Sequence, residues 1–167
     1  NYRDTMAELA DLLADPEARA RGDAARAIAY SEDDHGVPLL RLKALVGDTD
    51  PTVITECLTA LLQLAPQASL PFVARFLDRD DSAIQEAAAL SLGASRLVEA
   101  FPILRAWWQH THNPGVRRTA VLALATIVFA IGCKREPDCG PEAITSGDVL
   151  KIKHDPVEVP QGDPLSQ

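Results

Sequence analysis

The stretch "AWWQHTHN", residues 106–113, gathers both tryptophans of the chain, Trp107 and Trp108, and two of its four histidines, His110 and His112. Imidazoles can carry protons or bind a metal. The two indoles and two imidazoles, with Arg105 close by, are the place to look for a small-molecule site. Two imidazoles fall short of the three or four donors a zinc site takes, and no further donor is near in sequence. No metal or other cofactor is therefore expected. The three cysteines, Cys57, Cys133 and Cys139, are an odd number at no metal-like spacing and do not make a disulfide framework. Cys133 and Cys139 would pair only in an oxidising environment, and a reducing cytoplasm is the simpler expectation. The acidic run "SEDDH", residues 31–35, can bind a cation or cap a helix starting near Val37, where negative charge meets the positive end of the helix dipole. The capping role is preferred. Glycine-rich phosphate loops, Gly-x-Ser-x-Gly elbows and His-Glu-x-x-His runs are absent. The reading is accordingly of a chain with no catalysis of its own.

The elements that would position these side chains are helices. Ala and Leu dominate, aromatics are only 5%, and strand formers are correspondingly scarce. With 167 residues there is enough chain for one domain with a real core. The net charge of −8 disfavours a phosphate-backbone or anionic-membrane partner. Arg19, Arg21, Arg26, Arg117 and Arg118 are the candidates for a basic groove, but Glu56 and Glu86 interrupt them. The longest apolar run, Ala120–Cys133, has 14 residues, against roughly 20 for a membrane span. Asn1 stands where an initiator Met would, as expected of a processed form or a fragment.

The apolar pattern repeats. "DPEARARGDAARAIA" (15–29), "DPTVITECLTALL" (50–62), "DSAIQEAAALSLG" (81–93) and "NPGVRRTAVLALA" (113–125) align on Ala20, Val53, Ile84 and Val116, which lie 33, 31 and 32 residues apart. Four positions later come Ala24, Cys57, Ala88 and Ala120. Seven later come Ala27, Ala60, Ser91 and Ala123, and eight later Ile28, Leu61, Leu92 and Leu124. Positions 0, 4, 7 and 8 share one helical face. Small residues at 4 and 7 let helices approach, and Cys57 is read as one of them. A second helix precedes each of these, with Leu9/Leu12/Leu13, Leu42/Leu45/Val46, Val73/Phe76/Leu77 and Leu104/Trp107/Trp108 expected to face the core. By that alignment Trp107 and Trp108 are packing residues. A helix pair cannot bury its apolar face alone, so the pairs must stack.

The motif D-P-x-V-R-x-x-A-A-x-A-L, closest in "DTDPTVITECLTAL" and "NPGVRRTAVLAL", resembles HEAT repeats, of the short bacterial kind also found in phycobilin-lyase-like proteins. The resemblance covers roughly residues 5–131. It implies an all-α fold, a right-handed α-α superhelical solenoid of about four helix pairs over residues 1–131. Iron-binding HEAT hydroxylases carry His-Glu pairs, and this sequence has none. HEAT-like alkylpurine DNA glycosylases would need a uniformly basic groove, which the acidic residues break.

Function then rests on a surface. Solenoids bind partners along the face of the second helices. Positions 2, 3 and 6 point there, and the expected partner-binding residues are Arg26, Glu56, Glu86, Leu90, Arg118 and Leu122, with Trp108. The partner is expected to be another protein rather than nucleic acid or membrane, and open solenoid ends would invite self-association. The alternative is a small-molecule or chromophore-handling module at Trp107, Trp108, His110 and His112. From Gly132 periodicity stops. Residues 132–167 hold five of the twelve prolines and an alternating apolar pattern from Val149 to Val159. They are expected to be an extended, non-helical tail that folds back to cap the solenoid.

Overall fold

The computed structural model describes residues 2–31 and 34–133. These contain eight α-helices and no strand: α1 (Tyr2–Leu12), α2 (Ala18–Tyr30), α3 (Gly36–Val46), α4 (Pro51–Leu64), α5 (Pro66–Ala74), α6 (Ser82–Ala94), α7 (Ala100–His110) and α8 (Pro114–Cys133), with a 3₁₀ turn over Arg75–Asp78 after α5. The chain divides into units of Asn1–Arg135 and Glu136–Gln167. The second unit lies outside the described residues, and with it the expectations about the tail and about a Cys133–Cys139 pair.

The starts of α4, α6 and α8 follow from local chemistry. Asp50 accepts the Thr52 N–H at 2.9 Å, Asp81 accepts the Ala83 N–H at 2.8 Å, and Asn113 accepts the Gly115 N–H at 2.9 Å. Each satisfies a backbone donor that the first helical turn leaves without a partner. Pro51 and Pro114 open α4 and α8, where a missing N–H costs nothing. Glu32 and Asp33 of the acidic run before α3 lie outside the described residues. His35 is the N-cap of α3, and the Val37 N–H goes to the backbone carbonyl of Asp34 at 3.0 Å.

Helices α2, α4, α6 and α8 pack against one another in sequence to form an inner layer, and each odd-numbered helix packs on its even-numbered partner. Side-chain size explains the close layer. Ala24, Ala60, Ala88, Ala120 and Ala123 are buried between helices, and Ile28, Leu61 and Leu92 fill the space beside them. Gly93 marks a close backbone approach between α6 and α8, because a Cβ there would lie 2.7 Å from the Cα of Ala123. The helical-face reading of the inner helices is thus correct at most positions. Ala27 is an exception and is exposed.

The outer layer corrects the sequence reading at α3. The spacing predicts Leu42, Leu45 and Val46 in the core, but they are exposed, while Gly36, Leu40 and Ala44 are buried. This helix is apolar nearly all round, so spacing does not select a face. The small residues Gly36 and Ala44 do, since they admit Ile28 and α4 closely. At α1 the core residue is Leu13, one past the end of the helix, with Leu9 half-buried and Leu12 exposed. Helix α8 also departs from expectation. It continues past Gly132 to Cys133, and Pro114–Gly132 is long and apolar enough to cross a membrane by length and composition, where the sequence run suggests too short a segment. Within the solenoid its Val116, Ala120, Ala123 and Ile127 are buried.

Candidate protein-interaction surface

The seven expected surface residues separate into two groups. Arg26, Glu56 and Glu86 tie neighbouring helices together. Arg26 donates to Glu56 Oε1 across α2 and α4 at 2.6 Å and also to Asp23, and Glu86 accepts the Thr119 hydroxyl across α6 and α8 at 3.2 Å. Arg26 and Glu56 are thus paired within the fold, while Glu86 is held by a hydroxyl and not by a cation. Leu90, Arg118 and Leu122 are exposed, Leu90 to 45% and Leu122 to 61%. Leu90 and Leu122 occupy the same repeat position on adjacent helices, and Phe129, two turns beyond Leu122 on the same face of α8, is 75% exposed. Trp108 is half-buried, with the Arg117 guanidinium 4.9 Å from its ring centre. It lines a recess of about 590 Å³ with Arg117, Arg118, Val121 and Leu122.

The tryptophan–histidine stretch does not converge on one site. Trp107 packs against the core and donates its indole N–H to the Leu77 carbonyl at 3.0 Å. It lines a recess of about 370 Å³ shared with Arg75, Asp78 and His110, and none of these residues lines Trp108's recess. His110 Nδ1 lies 2.7 Å from the Ala106 carbonyl, one turn back in its own helix, and His112 is exposed. Among the described residues no three His, Cys, Asp or Glu side chains are grouped to hold a metal. Cys57 is fully buried, and loss of solvent pushes its thiol up to about 12, so it is a packing residue and a poor nucleophile.

Sequence reading missed one polar centre. Asp48, in the loop between α3 and α4, receives Arg21 through two bonds, Nε at 2.8 Å and Nη2 at 2.6 Å, and Lys43 Nζ at 2.8 Å. Its Oδ1 also accepts the Asp50 N–H at 2.9 Å. Arg21 completes the clamp by donating to the Asp15 and Pro16 carbonyls at 2.8 and 3.0 Å. The Arg21 fork holds the Asp48 carboxyl far below the usual carboxylate range, with Lys43 adding to the effect. Arg21 and Asp48 are 27 residues apart, and although Arg117 recurs at the Arg21 position and Asp15 at the Asp48 position, the second and third repeats carry Ile54 and Gln85 in place of Arg21, so the pair itself does not recur between neighbouring repeats.

Two apolar patches are likewise unmarked by the repeat pattern. Leu42, Leu45 and Val46 form one on the outer layer. A recess of about 490 Å³ between α7 and the last turns of α8 is lined by Val98, Glu99, Phe101, Pro102, Val128 and Ile131.

A family model for HEAT repeats matches residues 41–125, about half of the chain. No curated relative matches it. HEAT repeats commonly serve as protein-interaction scaffolds and are generally not catalytic. The four stacked helix pairs, the close inner layer and this match agree, and the chain belongs to the HEAT-repeat family.

Proposed function

We propose that this protein is a scaffold without catalysis of its own, which binds another protein along the open face of its inner layer. The observation that carries the reading is the row Leu90, Leu122 and Phe129, exposed side by side on α6 and α8 with Arg118 beside them. A contiguous apolar strip on a soluble surface is characteristic of a contact site. Arg26, Glu56 and Glu86 set the rigid spacing of the helices on which the strip sits, and Trp108 forms its rim.

A protein partner fits this surface better than nucleic acid, because Arg19, Arg21 and Arg26 are already paired with carboxylates and the apolar row offers phosphates nothing. The partner is taken to be no membrane either, since α8 commits Val116, Ala120, Ala123 and Ile127 to the solenoid core. The setting is taken to be a reducing cytoplasm, on the strength of three cysteines at no framework spacing. The small-molecule alternative draws less support, since the two indoles line separate recesses.

The test is affinity capture from a lysate of the source cell, with the wild type beside a Leu90→Asp/Leu122→Asp variant. A protein retained by the wild type and lost by the variant supports the reading. Equal retention removes this face from the interaction. Recovery of a small molecule with no protein overturns the scaffold function.

A further inference from the structure

The two ends of the described solenoid are unfinished in complementary ways. Positions are counted from the anchors Ala20, Val53, Ile84 and Val116. Positions 5 and 9 face the following repeat, and there Ala25/Ala29, Leu58/Leu62 and Ala89/Gly93 are buried. On α8 the same positions are Val121, 51% exposed, and Ala125, also exposed. Position 7 faces the preceding repeat. Ala60, Ser91 and Ala123 are buried there, and Ala27 of α2 is exposed. The last repeat thus presents an unused stacking surface, and the first presents the surface that would fit it.

Charge follows the same register. Arg21, one past its anchor, bonds the carbonyl of Asp15 in its own repeat and grips Asp48, which lies five before the next anchor. Arg117 is one past the last anchor. It bonds the carbonyl of Thr111 in its own repeat at 3.4 Å, and among the described residues no carboxylate pairs with it. The residue five before the first anchor is Asp15. Its Oδ1 accepts the Glu17 N–H at 2.7 Å, the same turn in which Asp48 Oδ1 accepts the Asp50 N–H. Asp15 therefore holds its carboxylate as Asp48 does. A second pair repeats the logic. Position 2 meets position 3 of the next repeat where Glu86 accepts from Thr119, and in a continued stack Arg118 would meet Asp23.

The geometry points to head-to-tail stacking of a second copy of this chain, its α1–α2 pair seated on α7–α8, with Asp15 entering the recess beside Trp108 and closing on Arg117. The contact joins two different surfaces, so repetition builds a ring or an open filament and not a closed two-fold dimer. It uses the ends and not the Leu90/Leu122 row, and stands or falls separately from the scaffold reading.

The experiment is sedimentation velocity on the full chain, residues 1–167, from micromolar to millimolar concentration. It compares the wild type, Arg117→Asp, Asp15→Arg, and an equimolar mixture of the two variants. Circular dichroism confirms that each is helical, and Asp15→Asn serves as a milder variant that keeps the turn. The expected result is a mass that rises with wild-type concentration and association weakened about 30-fold or more by either reversal. Mixing restores it. The carboxylate introduced in one variant then meets the guanidinium introduced in the other, while the native Arg117–Asp15 pair forms at the alternate contact. A wild type that stays monomeric throughout, with the outer face of α8 already protected from hydrogen exchange, assigns that face to an intramolecular cover and overturns the proposal. Association that neither reversal alters overturns it as well.

Discussion

Replacing Asp48 by Asn tests whether the clamp between the first two helix pairs holds the solenoid together. The substitution keeps the side chain's shape and removes its charge. The wild-type carboxylate, 2% exposed, receives two bonds from Arg21, one from Lys43 and one from the Asp50 N–H. The amide keeps an oxygen for Asp50 but turns an NH₂ toward one cation, leaving a guanidinium that is only 10% exposed with only the more distant Asp15 and Asp50 as counter-charges. Breaking one side of a buried pair costs about 3–5 kcal/mol. That is a large share of the ~5–15 kcal/mol that stabilises an ordinary domain. Urea denaturation followed by the fluorescence of Trp107 and Trp108 and by helical circular dichroism would read it as a lower midpoint at unchanged slope. The pH dependence supplies an independent sign. Arg21 lowers the folded-state value of Asp48, so its stabilisation is fully present above the unfolded carboxylate value of about 3.9 and is lost as pH falls through the range below it. The wild type should therefore lose stability more steeply than Asp48→Asn below about pH 4. A loss under about 1 kcal/mol with the same acid dependence in both proteins would refute the reasoning and reduce the clamp to an ordinary surface pair.

Gly93→Ala should destabilise by about 1–3 kcal/mol, because its Cβ would meet Ala123 backbone that has no room to move, whereas Gly22→Ala, whose nearest neighbour is the Glu56 Cγ at 3.6 Å, should stabilise by up to ~1 kcal/mol; denaturation midpoints of opposite sign check the pair. Cys57 should resist iodoacetamide at about pH 8 in the folded protein and react in urea, followed by mass spectrometry in a Cys133→Ser/Cys139→Ser background, since burial pushes its thiol up to about 12. Trp107→Phe should cost about 1–3 kcal/mol in urea denaturation, because it leaves the Leu77 carbonyl without its donor. Leu90→Asp/Leu122→Asp should shift the same midpoint by about 0.5 kcal/mol or less, since both side chains already meet solvent.

Legibility in the sequence follows the number of copies of each signal. The inner helices repeat one packing problem four times, so Ala24, Cys57, Ala88 and Ala120 identify one another by alignment, and all four are buried. Trp107 is readable in the same way. It stands where other repeats place Leu or Phe, and it packs on the core, its N–H finding a carbonyl that no pattern announces. The misreadings fall where a signal has one copy or too many. Helix α3 is apolar on most of its circumference, so four-residue spacing fits both Leu42/Leu45/Val46 and Leu40/Ala44, and only the small residues select the buried side. The Arg21–Asp48 clamp occurs once and bridges 27 residues, below the reach of periodicity. The residues expected to bind a partner show the converse limit. Positions 2, 3 and 6 are directed away from the core at most repeats, with Gly22, Ala87 and Thr119 buried, but direction does not tell a carboxylate bonded to a neighbouring helix, as at Glu56 and Glu86, from a side chain left to meet solvent, as at Leu122. That distinction depends on what lies across the gap. In a stacked architecture the neighbour is a different repeat, so exposure belongs to a position together with its place in the stack. Ala27 and Val121 illustrate this, each having a core residue's pattern and a surface residue's environment because no further repeat packs on it among the described residues.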